Sequence, residues 1–340
     1  MTELSENPTG RPEIEFQEVV DALLEQDTPF PARLLYRFSD LHGEDLTRLT
    51  ALWPELTPER REGLLEDLEL LSESNYLVSF EAVSMLGLSD PLSRVRQLAI
   101  RSLWESETPE LISLFIEIME NDSNLETRAQ AARGLGKFVF LAELEEISES
   151  RGAEVVEKLL ETNEEPFPMR LRCAALEALG YGSLPEVTEL IEQAYQRDND
   201  EWMISALIAM GRSANPQWIP MVIEHIDHSD NLVRLRAVQA AGELSAGKAV
   251  GHLVEHLQDP DDEVRMAAVW ALSEIGGDEA RRAIESMLEE TEDEDELDLI
   301  EDALENIEFS NMSDDFNLLD LEEEDLEDMI RPEEDEDSAA

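Results

Sequence analysis

The sequence predicts an all-α fold in which short pairs of helices repeat along the chain. Three observations predict it. A segment recurs about every 31 residues, apolar residues fall at helical spacing inside each copy, and no stretch alternates as a strand would.

The recurrence is anchored on one position. VRMAAVWALSEIG (264–276) aligns under VRLRAVQAAGELS (233–245), and LRCAALEALG (171–180), TRAQAARGLG (127–136) and VRQLAIRSLW (95–104) join them. Their second position falls at Arg96, Arg128, Arg172, Met203, Arg234, Arg265 and Glu296, at intervals of 32, 44, 31, 31, 31 and 31. The long interval contains GKFVFLAELEEIS (136–148), which is apolar enough for an elongated helix or an inserted one.

Each copy reads as two helices. The first carries spaced apolar residues, as in PELISLFIEIM (109–119), PEVTELIEQAY (185–195), PQWIPMVIEHI (216–226) and KAVGHLVEHL (248–257). Several begin near a proline, which suits a first helical turn because the missing N–H would be unpaired there anyway. A polar turn such as NDSN or QDPDD follows. The second helix carries Val, Ala, Ala and Leu, whose small side chains let neighbouring helices come close. Gly136, Gly180, Gly211, Gly242 and Gly276 are expected to cap these second helices. One pair cannot bury its apolar face alone, so the pairs must stack on one another.

The order Asp, then Val-Arg, then Ala-x-Ala-Leu-Gly resembles HEAT repeats, especially the short class named after phycobilin lyases, over roughly 74–308. It departs from them at Met203 and at Glu296, where DELDLIEDALENI is acidic enough for a polar C-terminal cap. The resemblance implies an alpha-alpha superhelix, a HEAT-repeat solenoid, with second helices lining a concave face. It also implies a structural ladder between neighbours. Asp90, Asp122 and Asp259 stand six residues before Arg96, Arg128 and Arg265, and their turn is expected to supply each partly buried guanidinium with a carboxylate or carbonyl partner.

The ends differ from the repeats. Residues 1–12 are expected to be disordered. Residues 13–73 form an N-terminal helical cap in which IEFQEVVDALLEQ, PARLLYRFSDL, GEDLTRLTALWPEL and TPERREGLLEDLELL each show an apolar face, the last opening on Thr57-Pro58. Residues 309–340 form an acidic tail, expected to be mostly disordered. Phe316, Leu318, Leu319, Leu321, Leu326, Met329 and Ile330 are interleaved with its acids. That mixture fits a short motif ordering on a partner, docking on the chain's own groove, or an inert tail.

Charge narrows the partners. The chain carries −57, from 82 acids against 25 bases. Residues 289–340 hold 26 acids and one base, Arg331, which leaves −32 for the rest. Such a field repels nucleic-acid phosphate and anionic lipid and attracts basic proteins. Solubility, or a salty cytoplasm, would equally produce it. No apolar run approaches the roughly 18 residues of a membrane span, and the first residues show no secretory pattern. The single cysteine, Cys173, excludes an intrachain disulfide and favours a reducing, cytoplasmic setting.

Chemistry is sparse. His252-Leu253-Val254-Glu255-His256 spells the H-x-x-E-H of one zinc-protease class. The repeat register absorbs it, since Glu224-His225 occupies the same position one repeat earlier and Met221 stands where His252 does. No phosphate-binding loop, dinucleotide fingerprint or nucleophile elbow occurs. Cys173, flanked by Arg172 and Ala174, reads as a packing residue. No catalytic residue, cofactor or metal is expected, although His225, His228 and His256 leave metal binding open.

The residues one and five places after the recurrent position are expected to point away from the core. They are Gln97 and Arg101, Ala129 and Arg133, Cys173 and Glu177, Ile204 and Ile208, Leu235 and Gln239, and Met266 and Trp270. The later ones, Ile204, Ile208, Leu235, Met266 and Trp270, make an apolar stripe of the kind that binds a helix or an extended peptide. The reading is of a non-enzymatic scaffold, monomeric in isolation, binding a basic or amphipathic protein on its concave face, through its tail, or both. It involves no direct nucleic acid and no membrane. Two alternatives stand: a phycobilin lyase-like chromophore chaperone, implied by the resemblance, and an acidic nucleic-acid mimic that occupies basic proteins.

Overall fold

The computed structural model describes residues 14–25, 27–75, 77–291 and 294–317. Residues 1–12, and Leu318, Leu319, Leu321 and Leu326 of the tail, lie outside the described residues. The helices in chain order are α1 (Phe16–Leu24), α2 (Gly43–Leu52), α3 (Pro58–Ser74), α4 (Glu81–Gly87), α5 (Ser93–Ser102) and α6 (Glu110–Asn121). They continue with α7 (Leu125–Gly134), α8 (Gly136–Glu143), α9 (Glu149–Asn163), α10 (Met169–Leu179), α11 (Pro185–Tyr195) and α12 (Asp200–Arg212). The last six are α13 (Ile219–Ile226), α14 (Asn231–Glu243), α15 (Val250–His256), α16 (Asp262–Ile275), α17 (Gly277–Glu290) and α18 (Glu294–Asn317). Short 3-10 turns precede several of them, and the described residues contain no strand. None of these helices is long and apolar enough to cross a membrane.

The chain divides into two compact units, residues 1–209 and 210–340. In the N-terminal unit α6 packs on α7 and α9 on α10, and the second helices α5, α7 and α10 lie along one another in turn. In the C-terminal unit the hairpins are α13–α14, α15–α16 and α17–α18, with α14, α16 and α18 stacked likewise. The cores follow from this. Leu98, Phe115, Ala131 and Leu176 are closed off in the first, and Val233, Ala237, Ala268 and Ile300 in the second. Each fully buried Leu, Ile or Phe contributes roughly 1.5–3 kcal/mol relative to exposure.

Helix starts are set by side chains that satisfy the free N–H groups of the first turn. Thr57 accepts from the Arg60 N–H at 3.2 Å and Asn124 from that of Thr127 at 3.0 Å. Asp230 accepts from Leu232 and Val233, and Asp261 from Glu263 and Val264. The 44-residue interval is explained by α8, a separate inserted helix. It leaves α7 after the single residue Leu135, packs on α9 and α10, and stops before Glu145, whose φ is +59°. α3 lies along α5 as the other second helices lie along theirs, so the stack takes in part of the N-terminal cap.

The glycines correct one expectation. Of the five expected caps, only Gly276 is left-handed, with φ of +68°. Gly180 is the C-cap residue of α10 in a helical conformation, and it, Gly211 and Gly242 sit where one second helix crosses the next, facing Ala209, Ala240 and Ala271, while Gly136 opens α8 and faces Ala178. A Cβ on Gly180 would lie 2.7 Å from the Ala209 Cα, against backbone that cannot swing aside. Gly180→Ala is therefore expected to lower unfolding free energy by about 1–3 kcal/mol through overpacking. Gly63→Ala, in α3 where an added Cβ meets nothing within 4 Å, should raise it by roughly 0.5–1 kcal/mol through helix propensity. Urea unfolding of the two variants, read by circular dichroism, checks the opposite signs.

Candidate functional site: the faces of the second helices

The recurrent arginines join neighbouring repeats. Arg96 meets both oxygens of Asp122, at 2.6 and 2.7 Å, and its Nη1 donates to the Asp90 carbonyl at 2.7 Å. Arg234 holds Asp259 at 2.8 and 2.9 Å and donates to the His228 carbonyl at 2.8 Å. Arg265 donates to the Asp259 carbonyl at 3.0 Å and to Glu296 at 2.9 Å. The turn thus supplies each of these guanidinium groups with a carbonyl, and the ladder runs between neighbours, both as expected. Arg96 and Arg265 take only the backbone carbonyl of the aspartate six residues earlier, and Arg128 donates to the Met119 carbonyl at 2.7 Å. The carboxylate itself goes to the arginine of the preceding repeat.

The reason is local. Asp122 and Asp259 each fold one oxygen over their own turn, accepting the N–H two residues on at 2.8 and 2.9 Å, which aims the carboxylate back along the stack. A further rung lies in the N-terminal cap. The Asp90 carboxylate, closed to solvent, pairs with Arg61 at 2.7 Å and accepts from Trp53 Nε1 at 2.9 Å. Burial alone would raise the Asp259 carboxyl, but bonds from Arg234, the Asp261 N–H and His256 outweigh it and hold it down at about 2. Asp122 is lowered likewise, against its own burial, by Arg96 and the Asn124 N–H. These guanidinium groups are committed to protein acceptors.

The H-x-x-E-H segment is drawn into the same ladder. His252 Nδ1 and His256 Nε2 both contact Asp227 at 3.0 Å, and His256 Nδ1 contacts Asp259 at 3.0 Å. Glu255 is exposed. His225 and His228 stack edge to face, 5.8 Å apart, and burial followed by the His228 charge lowers the His225 pKa. Among the described residues no three His, Cys, Asp or Glu side chains converge as metal ligands do.

Cys173 is buried in α10, its Sγ 3.9 Å from the Glu201 carbonyl, and burial pushes its thiol up to about 12. Thiolate is the reactive form. The folded protein is therefore expected to leave a disulfide thiol reagent such as Ellman's unreacted for hours at pH 8, with one equivalent of thiol released on adding denaturant.

The expected stripe is only partly a surface. Met266 is half-buried and Trp270 is 37% exposed on α16, while Leu235 on α14 is only 6% exposed. Ile204 and Ile208 are half-buried on α12, in the N-terminal unit. Ala129, Cys173 and Glu177, at the equivalent positions, are buried as well. Within the units, α5, α7 and α16 are flanked on both sides by others like them, so only a narrow strip stays open. Phe316 falls in the backbone of α18, whose side chain there is not described, and the remaining tail residues lie outside the described residues.

The family model for HEAT repeats matches residues 82–167, 189–263 and 219–305. The chain belongs to the HEAT-repeat family. No curated protein matches this HEAT-repeat protein in sequence. Among solved structures it is similar to the complex of CpcE and CpcF of phycocyanin lyase from Nostoc, at 18% identity over 67% of this chain and 94% of that one, with a TM-score of 0.42. It is similar to importin beta at 14% identity, over 86% and 46%, with a TM-score of 0.41. A designed armadillo repeat protein solved with a (KR)4 peptide matches at 19% identity over 59% and 100%, with a TM-score of 0.36.

One exposed residue of this HEAT-repeat protein escapes the stripe. Trp104 stands two residues past the end of α5 and is 67% exposed. Its signal in the sequence is a large aromatic side chain where other repeats carry Gly136, Gly180 and Gly242, just before Glu105 and Glu107.

Proposed function

We propose that this HEAT-repeat protein is a binding scaffold for a basic or amphipathic protein, which it engages on the open strip of α16 and assists with its acidic tail. One observation carries the reading. Leu125, Met169 and Leu232 are exposed only in the first turns of α7, α10 and α14, whereas α16 leaves Trp270 open well inside the helix, with half-buried Met266 one turn before it. Glu274 stands one turn on, and the indole rests beside Gly242, next to exposed Glu243. An exposed indole with the exposed carboxylate of Glu274 one turn away attracts a cationic, partly apolar surface. The charge of −57 supports this by drawing such partners in and repelling anionic ones.

The test is affinity purification with three proteins: the full chain, Trp270→Ala/Met266→Ser, and a chain ending at Asn317. A partner with a basic segment, recovered with the full chain and reduced at least tenfold by the α16 variant, is the expected result. Equal recovery by all three would remove both surfaces from consideration.

A further inference from the structure

We propose that a cleft beside Trp104 in the N-terminal unit receives a lysine or arginine side chain from a partner polypeptide. This rests on the basic-partner reading above and gives it a second, separate place on the chain.

The cleft has a volume of about 280 Å³ and lies where the ends of α3 and α5 meet the segment before α4. Leu68, Phe80 and Leu103, all buried, form its apolar walls, and Val78 and Trp104 stand at its mouth. Leu77, next to Val78, is 91% exposed. The opening is therefore apolar on its walls and aromatic at its edge, which suits the methylene stem of a long side chain lying against an indole.

The charge around it decides the occupant. α3 ends at Ser74 and α5 at Ser102, and the last turns of both line the cleft and its extension. Each helix presents about half a negative charge at its C-terminal end. Glu69, Glu73, Glu81 and Glu105 stand around the same space. Glu69 is taken by both nitrogens of the Arg101 fork, and Glu81 accepts from Thr108 Oγ1 at 2.6 Å. Glu73 and Glu105 are exposed and make no ion pair among the described residues. Two positive contributions oppose these: Arg101, already neutralised by Glu69, and the first turn of the short α4, which carries its own Glu81.

The balance is a pocket one long cation can complete, with its stem on Trp104 and its head between Glu73 and Glu105. A free amine would leave Leu77 and most of the indole in water. A polypeptide with apolar residues beside its basic one covers them, and so the occupant is a basic, amphipathic segment.

The experiment uses the full chain labelled with 5-fluorotryptophan, in 0.15 M salt. Trp53, Trp202 and Trp218 are buried and Trp104 and Trp270 exposed, so five fluorine resonances report on distinct surroundings. The Trp104 and Trp270 resonances are assigned with Trp104→Phe and Trp270→Phe. The probe is an acetylated, amidated octapeptide alternating lysine and leucine. A saturable shift of the Trp104 resonance is expected, with Kd raised at least fivefold by Glu73→Gln/Glu105→Gln. Glu186→Gln/Glu189→Gln, which removes the same charge from α11, should leave Kd within twofold.

A shift confined to Trp270 would overturn the cleft while keeping the basic-partner reading. Equal weakening by the two double variants would also overturn it, showing attraction to net charge alone. Absence of any shift or binding heat would overturn both proposals.

Discussion

Asp259→Ala is expected to lower the unfolding free energy by about 3–5 kcal/mol, because it leaves a buried arginine without its counter-charge. The Asp259 carboxylate holds both nitrogens of the Arg234 fork, His256 Nδ1 and the N–H of Asp261. Removing it strands the Arg234 guanidinium between α14 and the turn before α16 and unties that turn. Arg234→Met/Asp259→Leu removes both charges together and should fall much nearer the wild type, since replacing a buried pair with apolar side chains is often close to neutral. Chemical denaturation of the three proteins, read by far-UV circular dichroism, checks both numbers.

The same carboxylate sets an acid limit. Its folded pKa of about 2 lies below the ordinary 3.8 of an unfolded aspartate. A depressed pKa stabilises the folded state fully above the unfolded value, and that contribution is lost as pH falls through the folded one. Between roughly pH 4 and pH 2 the protein is therefore expected to lose about 2 kcal/mol through Asp259 alone. Asp122, lowered in the same direction, adds to the loss. Asp259→Ala should flatten this part of the stability profile, and acid titrations of the two proteins at fixed urea show whether it does.

The stack was legible because the spacing of Val, Ala and Leu around each recurrent arginine is itself the record of one buried face. The direction of the ladder was not. Asp90 and Arg96 are six residues apart in sequence, and nothing in that spacing says that the carboxylate turns back to Arg61 while Arg96 reaches forward to Asp122. The glycines misled for a related reason. Gly180 and Gly242 stand near helix ends, where caps belong, but a close crossing needs a missing Cβ just as a cap does, and only the neighbouring Ala209 or Ala271 tells them apart.

The candidate face was half legible. Counting from the arginine marked the side of the helix away from its own hairpin partner, which is open at Trp270 on α16. It could not register that the next second helix covers Leu235 and Cys173. Trp104 was missed because the register puts it where other repeats carry Gly136, Gly180 and Gly242, a position that read as a helix end and not as a surface.

Glu177 shows where an outward position in the count becomes an interior one. It is 4% exposed, pairs with Arg133 Nε at 2.6 Å, and accepts from Ser205 Oγ at 2.7 Å. It therefore ties α10 to α7 on one side and to α12 on the other. Glu177→Ala is expected to cost about 3–5 kcal/mol, because Arg133 and Ser205 then both lose a buried acceptor. Glu177→Gln keeps an oxygen for one of them and removes only the charge, so it should cost less than half as much. If the pair gives no net stability over an apolar filling, Arg133→Met/Glu177→Leu should unfold within about 1 kcal/mol of the wild type. If the double variant is instead as weak as Glu177→Ala, the ion pair has a stabilising role that packing cannot replace, and Ser205, left without its acceptor in both proteins, is where to look for the difference.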